Sequence, residues 1–170
     1  MEISPAVVSD AGNLATLAIQ VWLDTYAVYG IRQAFSNYVW GELSPAKFEK
    51  KLKDKSIIIL KMVENSHLTG FAEIHFASPC PAAPEITTEL EKIYIHQNFT
   101  GKKLGVKLME FIGNEFKKRE IQEFWLSVYE NNERAIRFYK KNGFEEIGEL
   151  FFLLEDEKHK NYILKKELNY

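Results

Sequence analysis

The stretch 90–112, LEKIYIHQNFTGKKLGVKLMEFI, most constrains how this chain can fold. Its first residues are rich in β-branched and aromatic side chains, which is typical of a strand. From Leu104 onward apolar residues recur at every fourth position, which predicts an amphipathic helix. A short polar turn with two glycines and two lysines joins the two patterns. Because the first N–H groups of a helix have no partner within it, this turn is predicted to attract an anion such as a phosphate.

The rest of the chain alternates between the same two patterns. Read in order, they give βααββ, then βαβα, then ββ. This order predicts an α/β fold in which a mixed, mostly antiparallel sheet of about seven strands has helices on both faces. Ser44 followed by Pro45 predicts a helix start. The segment 27–43 is aromatic and interrupted by Gly30 and Gly41, so we expect an irregular segment or a broken helix there.

Length and charge exclude several classes of protein. The 170 residues predict a single domain over residues 1–170. With 22 basic and 24 acidic side chains the net charge is −2, which argues against a nucleic-acid-binding footprint spread over the whole surface and leaves room for a local basic patch. No nucleic-acid partner is predicted. The N-terminus has no signal-peptide pattern and no apolar run is long enough to cross a membrane, so we expect a cytoplasmic protein without a membrane partner. The oligomeric state stays open, with a homodimer among the alternatives.

Cysteine and histidine give no sign of a disulfide framework or a metal site. Cys80 is the only cysteine and is expected to be a surface thiol. The four histidines are expected in a turn (His67), on strands (His75 and His96) and in the charged loop between the last two strands (His159). Their spacing matches no metal-binding pattern, so no metal is predicted.

The second half of the chain carries a more specific pattern. Residues 126–149, LSVYENNERAIRFYKKNGFEEIGE, run from a strand through an asparagine into a short helix with the pattern A..FY.K.GF and then into another strand. Together with the strand, turn and helix before it, this stretch resembles the catalytic core of the GCN5-related N-acetyltransferases (GNAT). The flanking residues are most similar to bacterial polyamine acetyltransferases of the PaiA type. The resemblance covers about residues 89–148 and implies a sheet that is splayed to admit acetyl-CoA.

The resemblance implies how acetyl-CoA, the co-substrate, is bound. In this family the main chain of a Q/R-x-x-G-x-G/A turn binds the pyrophosphate. The matching positions here are Thr100, Gly101, Lys102, Lys103, Leu104 and Gly105. Thr100 replaces the usual Gln or Arg, and Lys103 replaces the first glycine of the pattern, where a helix start is expected to need only an ordinary φ angle. The main chain of Ile93, Tyr94 and Ile95 is expected to bind the pantetheine arm, as is the side-chain amide of Asn132.

The resemblance also implies Tyr139 as the general acid that protonates the departing thiolate, in contact with the cofactor. Its alternative role is that of a core aromatic residue. For the general base, Glu89 and Glu91 share one face of a strand about 7 Å apart, and Glu73 on the preceding strand is a third candidate. All three acids could instead be solvated residues of a strand face. A main-chain N–H at Ile93 or Tyr94 could stabilise the developing oxyanion.

The acceptor predicted from this pattern is a primary amine, most specifically a small polyamine, with direct transfer that does not use Cys80. The aromatic segment corresponds to the part of the family that covers the acceptor, and with Asp24 and Glu42 it would suit a cation. Its rings are Tyr26, Tyr29, Phe35, Tyr38 and Trp40, and they could instead only pack the helices. A protein or peptide N-acetyltransferase is one alternative function. A non-catalytic CoA-binding sensor is the other, suggested by Thr100 and Lys103.

Overall fold

The computed structural model of the protein describes residues 1–168. These residues form two compact units, each built from two segments of the chain. The first unit comprises Met1–Ile74 and Lys92–Ile112, and the second comprises His75–Glu91 and the described residues from Gly113 onward. The prediction of a single domain therefore stays a prediction.

Seven strands are described between residues 1 and 168, as the periodicity predicts. They are β1 (Glu2–Pro5), β2 (Ile57–Glu64), β3 (His67–His75), β4 (Glu89–Ile95), β5 (Glu123–Tyr129), β6 (Glu145–Leu154) and β7 (Glu157–Glu167). Their order in the sheet is β1-β2-β3-β4-β5-β7-β6. The pairs β1–β2, β5–β7 and β6–β7 are antiparallel, whereas β4 and β5 are parallel and in register at Glu89 and Trp125. The mixed, mostly antiparallel sheet is confirmed.

Five α-helices accompany these strands in the same range of residues. They are α1 (Ala11–Tyr26), α2 (Gln33–Glu42), α3 (Pro45–Leu52), α4 (Leu104–Lys118) and α5 (Glu133–Lys141). Pro45 is the first residue of α3 and Ser44 precedes it in extended conformation, as predicted. The aromatic segment is irregular up to Arg32 and helical from Gln33, because Gly30 adopts a left-handed φ of 113° that no helix continues.

The core of the first unit is aromatic where β3 and β4 meet α3. Phe48 and Phe71 are both fully buried, and their rings meet edge to face with centroids 5.8 Å apart. Tyr94 meets Phe71 in the same manner at 5.4 Å. Gly70 allows the close approach of β4, because a Cβ atom there would lie 2.9 Å from the carbonyl oxygen of Tyr94.

The second unit has a cluster of buried side chains on each side of β5. Phe124 packs edge to face against Phe116 and Phe144. Its neighbour Trp125 points to the opposite face, because side chains alternate along a strand. There Trp125 packs with Cys80, Ile86 and Ile163. Cys80 is therefore buried, and the expectation of a surface thiol is wrong because the proline-rich segment folds onto this face.

Three histidines lie elsewhere than expected. His67 is the first residue of β3, because Asn65 and Ser66 alone make the turn with φ of 48° and 64°. His159 lies within β7, since the turn before it is only two residues long. His96 follows the end of β4 and caps a short 3₁₀ turn. Within residues 1–168 no cluster of three or more His, Cys, Asp and Glu side chains is placed to hold a metal ion, and the metal-free site stays a prediction.

Across the described part of the chain, no helix combines the length and the apolar character needed to cross a membrane.

Candidate active site

The glycine-containing turn of the first unit connects β4 to α4. The N–H of His96 donates to the carbonyl oxygen of Thr69 at 2.9 Å, and the Thr100 hydroxyl donates to the carbonyl oxygen of Gln97 at 2.8 Å. The N–H of Lys107 donates to the carbonyl oxygen of Lys103 at 3.2 Å and is the first such bond of α4. The N–H groups of residues 104–106 precede that bond, where helix N–H groups have no partner within the helix. This end of α4 therefore suits an anion.

The turn reaches α4 through two residues of left-handed conformation. Gly101 has a φ of 79° and Lys103 a φ of 60°. The expectation of an ordinary φ at Lys103 is wrong, because Lys103 stands before the first helical residue. A side chain at such a φ is strained, which explains why the family pattern has glycine at this position. The ammonium group of Lys102 lies over the ring of Phe99, 4.6 Å from its centroid.

Two acids of β4 form the centre of the candidate site in the second unit. Glu89 is buried and Glu91 is exposed, and a hydrogen bond joins their side chains on the shared strand face. The Ser78 hydroxyl donates to Oε2 of Glu89 at 2.5 Å. Burial first, and then the charge of Glu91, raise the pKa of Glu89 to about 7, while the Ser78 hydrogen bond and the charge of His75 lower it. Glu89 is therefore not a solvated strand-face acid, whereas the exposed Glu91 matches that alternative.

Glu73 has different surroundings in the first unit. It is fully buried, with Oε1 2.6 Å from the ammonium group of Lys51 and Oε2 3.4 Å from that of Lys92. The solvated alternative is wrong for Glu73 as well. A carboxylate held between two ammonium groups is stabilised in its charged form, which suits an ion-pair role more than that of a base.

The helix α5 carries the remaining two predicted residues, Asn132 as its N-cap and Tyr139 near its C-terminal end. The Asn132 Oδ1 atom accepts from the N–H of Ala135 at 3.2 Å, so it caps the helix and leaves the Nδ2 group to donate elsewhere. Tyr139 is 8% exposed, and its ring meets Phe144 edge to face at 5.3 Å. Burial raises the pKa of the Tyr139 hydroxyl, so this group is protonated at neutral pH. The ring has the packing expected of a core residue, and the hydroxyl is in the state that a donor requires.

The aromatic segment of the first unit divides into packed and exposed rings. Trp22 is stacked between Tyr26 and Tyr38, with centroids 4.7 Å from each, and meets the edge of Phe35 at 5.5 Å. Three of the five predicted rings, Tyr26, Phe35 and Tyr38, therefore pack against Trp22.

Tyr29 and Trp40 are exposed. They are the two rings of the predicted set that remain open to a ligand. Of the two predicted acids, Glu42 pairs with Lys47 at 3.2 Å, and Asp24 is exposed.

The predicted residues lie at three places in the structure. The first unit holds Ile93–Ile95 next to the turn in sequence, and the second unit holds the Glu89–Glu91 pair. The helix α5 of the second unit has Asn132 as its N-cap and Tyr139 near its C-terminal end. Two neighbours of Glu89, Ser78 and His75, are not predicted from the sequence. No local pattern marks them, because both lie outside the strand that carries Glu89.

Comparison with known proteins gives the family of the chain. The sequence profile of the Acetyltransferase (GNAT) family matches residues 25–144. The chain belongs to the GNAT family. The α/β fold and the acetyltransferase class predicted from the sequence are thereby confirmed.

Solved structures and curated relatives agree with this family. The PaiA N-acetyltransferase of Thermoplasma acidophilum, solved in complex with coenzyme A, has a TM-score of 0.78 and 25% identity to this GNAT protein, over 98% of this chain and 99% of that one. A curated relative from that organism, a spermidine N(1)-acetyltransferase, is 25% identical over 98% of this chain and 97% of its own length. The predicted PaiA-like character is confirmed by these matches.

Other relatives match only part of the chain. A spermine/spermidine N(1)-acetyltransferase of Bacillus subtilis is 36% identical over 37% of this chain and 42% of its own length. An uncharacterised N-acetyltransferase of Lactobacillus delbrueckii subsp. lactis is 35% identical over 47% of this chain, and the match spans 46% of that protein, about half of its length.

Proposed function

We propose that this GNAT protein transfers an acetyl group directly from acetyl-CoA to a primary amine of a small polyamine. The observation that carries the proposal is Glu89, a buried carboxyl group hydrogen-bonded to Ser78 and Glu91. The names of the Thermoplasma and Bacillus relatives, which are spermidine and spermine acetyltransferases, support a polyamine as the acceptor.

The residues of the turn fit the diphosphate of the co-substrate. The N–H groups of residues 104–106 precede the first hydrogen bond of α4, and Gly101 in the turn carries no side chain. Lys102 and Lys103 add positive charge. Thr100 to Gly105 would bind the diphosphate, the main chain of Ile93, Tyr94 and Ile95 the amides of the pantetheine arm, and Asn132 Nδ2 an oxygen of the same arm. When bound, acetyl-CoA supplies an acetyl thioester whose carbonyl carbon is the electrophile.

Glu89 is the proposed base. A polyamine nitrogen carries a proton at neutral pH and must lose it before attack, since its lone pair forms the new bond. A carboxylate with an ordinary pKa is a poor acceptor for that proton. The pKa of Glu89, raised to about 7, is closer to that of an amine and lies near the working pH, where a general base is most effective. Glu91 adds negative charge that attracts the ammonium form and keeps the pKa of Glu89 high.

Tyr139 is the proposed acid. As the amine nitrogen bonds to the carbonyl carbon, the carbon–sulfur bond breaks and the electron pair leaves on sulfur. The Tyr139 hydroxyl is protonated because burial raises its pKa, so it can donate to that sulfur. The nitrogen releases its second proton to solvent as the amide forms, and a proton from solvent restores the Tyr139 hydroxyl. An N–H of Ile93 or Tyr94 would donate to the carbonyl oxygen while it carries negative charge.

An acceptor screen tests the proposal. Thiol release from acetyl-CoA is measured with spermidine, spermine, short diamines and peptides with free N-termini. We expect kcat/KM to be highest for a polyamine and to fall about 100-fold or more in Glu89→Gln. If only peptides are acetylated, the acceptor is a protein N-terminus and not a polyamine. If calorimetry shows that acetyl-CoA binds but no amine is acetylated, the protein is a CoA sensor and not an enzyme.

A further inference from the structure

Ser78 is fixed at three points in the second unit. Its N–H donates to the carbonyl oxygen of Thr87 at 2.9 Å, and its own carbonyl oxygen accepts from the Trp125 indole Nε1 at 2.8 Å. Its hydroxyl donates to Oε2 of Glu89 at 2.5 Å. A serine in the segment between two strands therefore has its main chain held on both sides and its side chain directed at one carboxylate oxygen.

The group that holds Ser78 is part of the sheet. Trp125 is buried on β5 in register with Glu89. The main-chain N–H of Trp125 donates to the carbonyl oxygen of Thr88 at 3.0 Å. Cys80 and Ile86 pack on the same indole, and the N–H of Cys80 donates to the carbonyl oxygen of Ile86 at 2.9 Å. The segment between β3 and β4 is thus hydrogen-bonded within itself and anchored on β5, the strand that pairs with β4.

We propose that Ser78 is a positioning residue for the base: its hydroxyl holds Oε2 of Glu89 in one orientation, and the Trp125 indole holds Ser78. The proposal rests on the proposed function, in which Glu89 accepts the proton of the amine. A carboxylate free to rotate would meet the amine in few of its orientations, whereas one held by a hydrogen bond stays in the productive geometry.

The charged neighbours of Glu89 make this role measurable. Glu91 on β4 raises the pKa of Glu89, while the Ser78 hydroxyl and the charge of His75 on β3 lower it. Removal of the Ser78 hydroxyl should therefore raise the pKa of Glu89, and removal of the Glu91 charge should lower it. If Ser78 only stabilised the fold, removal of its hydroxyl would leave the pKa of Glu89 unchanged.

The test is the pH dependence of kcat/KM for the acceptor amine. In Ser78→Ala we expect the midpoint of the acidic limb to move to higher pH and kcat/KM at pH 7 to fall about tenfold, with the KM for acetyl-CoA unchanged. Ser78→Thr keeps a hydroxyl and should keep the midpoint. Glu91→Gln should move the midpoint to lower pH.

A matched control is present in the first unit. The Ser56 hydroxyl donates to Oδ1 of the exposed Asp54 at 2.7 Å, a serine–carboxylate hydrogen bond of similar length. Ser56→Ala should leave the profile unchanged. Trp125→Phe keeps a large ring but removes the indole N–H, so it should shift the midpoint in the same direction as Ser78→Ala. If Trp125→Phe does not fold, the comparison of Ser78→Ala with Ser78→Thr decides the test alone.

The outcomes separate this inference from the proposed function. An active enzyme whose midpoint is the same in Ser78→Ala as in the wild type overturns the positioning role and leaves the acetyltransferase in place. An enzyme inactive on every amine overturns the function. In that case the carbon-13 NMR titration of Glu89 in the wild type and Ser78→Ala still shows whether the hydroxyl sets its pKa, and equal titration curves would reject the Ser78 contact as well.

Discussion

Oε1 of Glu73 lies 2.6 Å from the ammonium group of Lys51, in the interior of the first unit. Lys92, itself buried, is 3.4 Å from the other oxygen. The buried carboxylate thus faces two ammonium groups, of which that of Lys92 is buried and that of Lys51 is partly exposed. Loss of one partner from such a buried arrangement costs more than the pair contributes, because the remaining charges are left in the interior.

Glu73→Gln should therefore lower the free energy of unfolding by roughly 3 kcal/mol, measured by urea denaturation. Glu133→Gln is the control, because Glu133 and Arg137 form a highly exposed ion pair at 3.0 Å, whose loss should change stability by less than about 1 kcal/mol. The pH profile of the Glu73→Gln enzyme at a temperature where it is folded should keep its acidic limb. Loss of that limb would instead make Glu73 the base.

Tyr139→Phe should lower kcat by about 100-fold while the affinity for coenzyme A is unchanged. The ring contact with Phe144 persists in phenylalanine, so the fold should be little affected, and the loss is confined to the donor hydroxyl. Thiol release at saturating acetyl-CoA measures the rate, and calorimetry measures the binding.

Tyr162→Phe removes a hydroxyl from a partly exposed tyrosine of β7 and provides the control. If Tyr139→Phe keeps the wild-type kcat, Tyr139 is a core aromatic residue, the alternative that its packing alone would suggest.

Local patterns predicted most of the fold and the chemical class of the site. Leu104, Leu108, Ile112 and Phe116 are all buried, as a spacing of four residues predicts for one helix face. The turn before them was predicted because strand, glycine and helix signals follow one another directly.

The contacts that set the chemistry of the acids could not be predicted in the same way. Glu89 meets a serine from a segment without regular structure, and Glu73 meets a lysine 22 residues away on another element. Periodicity assigns a residue to a face, but it does not say what covers that face. The left-handed φ of Lys103 was missed for a related reason: a helix pattern indicates where the helix begins and not the conformation of the residue before it.

Lys103→Gly should stabilise the protein relative to Lys103→Ala by about 1 kcal/mol. Both variants lose the ammonium group, but only glycine removes the side chain that is strained at a φ of 60°. Urea denaturation of the two variants measures the difference. Equal stabilities would mean that the turn relaxes without cost.

The same two variants report on the phosphate contact. If the ammonium group of Lys103 attracts the diphosphate, both should bind coenzyme A several-fold more weakly than the wild type, and the loss should shrink as salt concentration rises. If only one of the two variants binds coenzyme A more weakly, the cause is the conformation of the backbone and not the lost ammonium group.

The contribution of Glu89 to the stability of the protein should fall as the pH rises from about 4.5 to about 7. Its pKa in the folded state is about 7, above the ordinary 4.5, so between these values the folded state binds more protons than the unfolded state. The contribution of Glu89 to the free energy of unfolding therefore decreases with rising pH in this window and levels off above it. Glu89→Gln has no such group, so its difference in stability between pH 5 and pH 8 should be smaller than that of the wild type by roughly 1 to 3 kcal/mol.

Urea denaturation at the two pH values measures both differences, and the other titrating groups are common to the two proteins. An equal pH dependence would mean that the carboxyl of Glu89 titrates at its ordinary pKa, and the proposed base would then lose the property that suits it to the reaction.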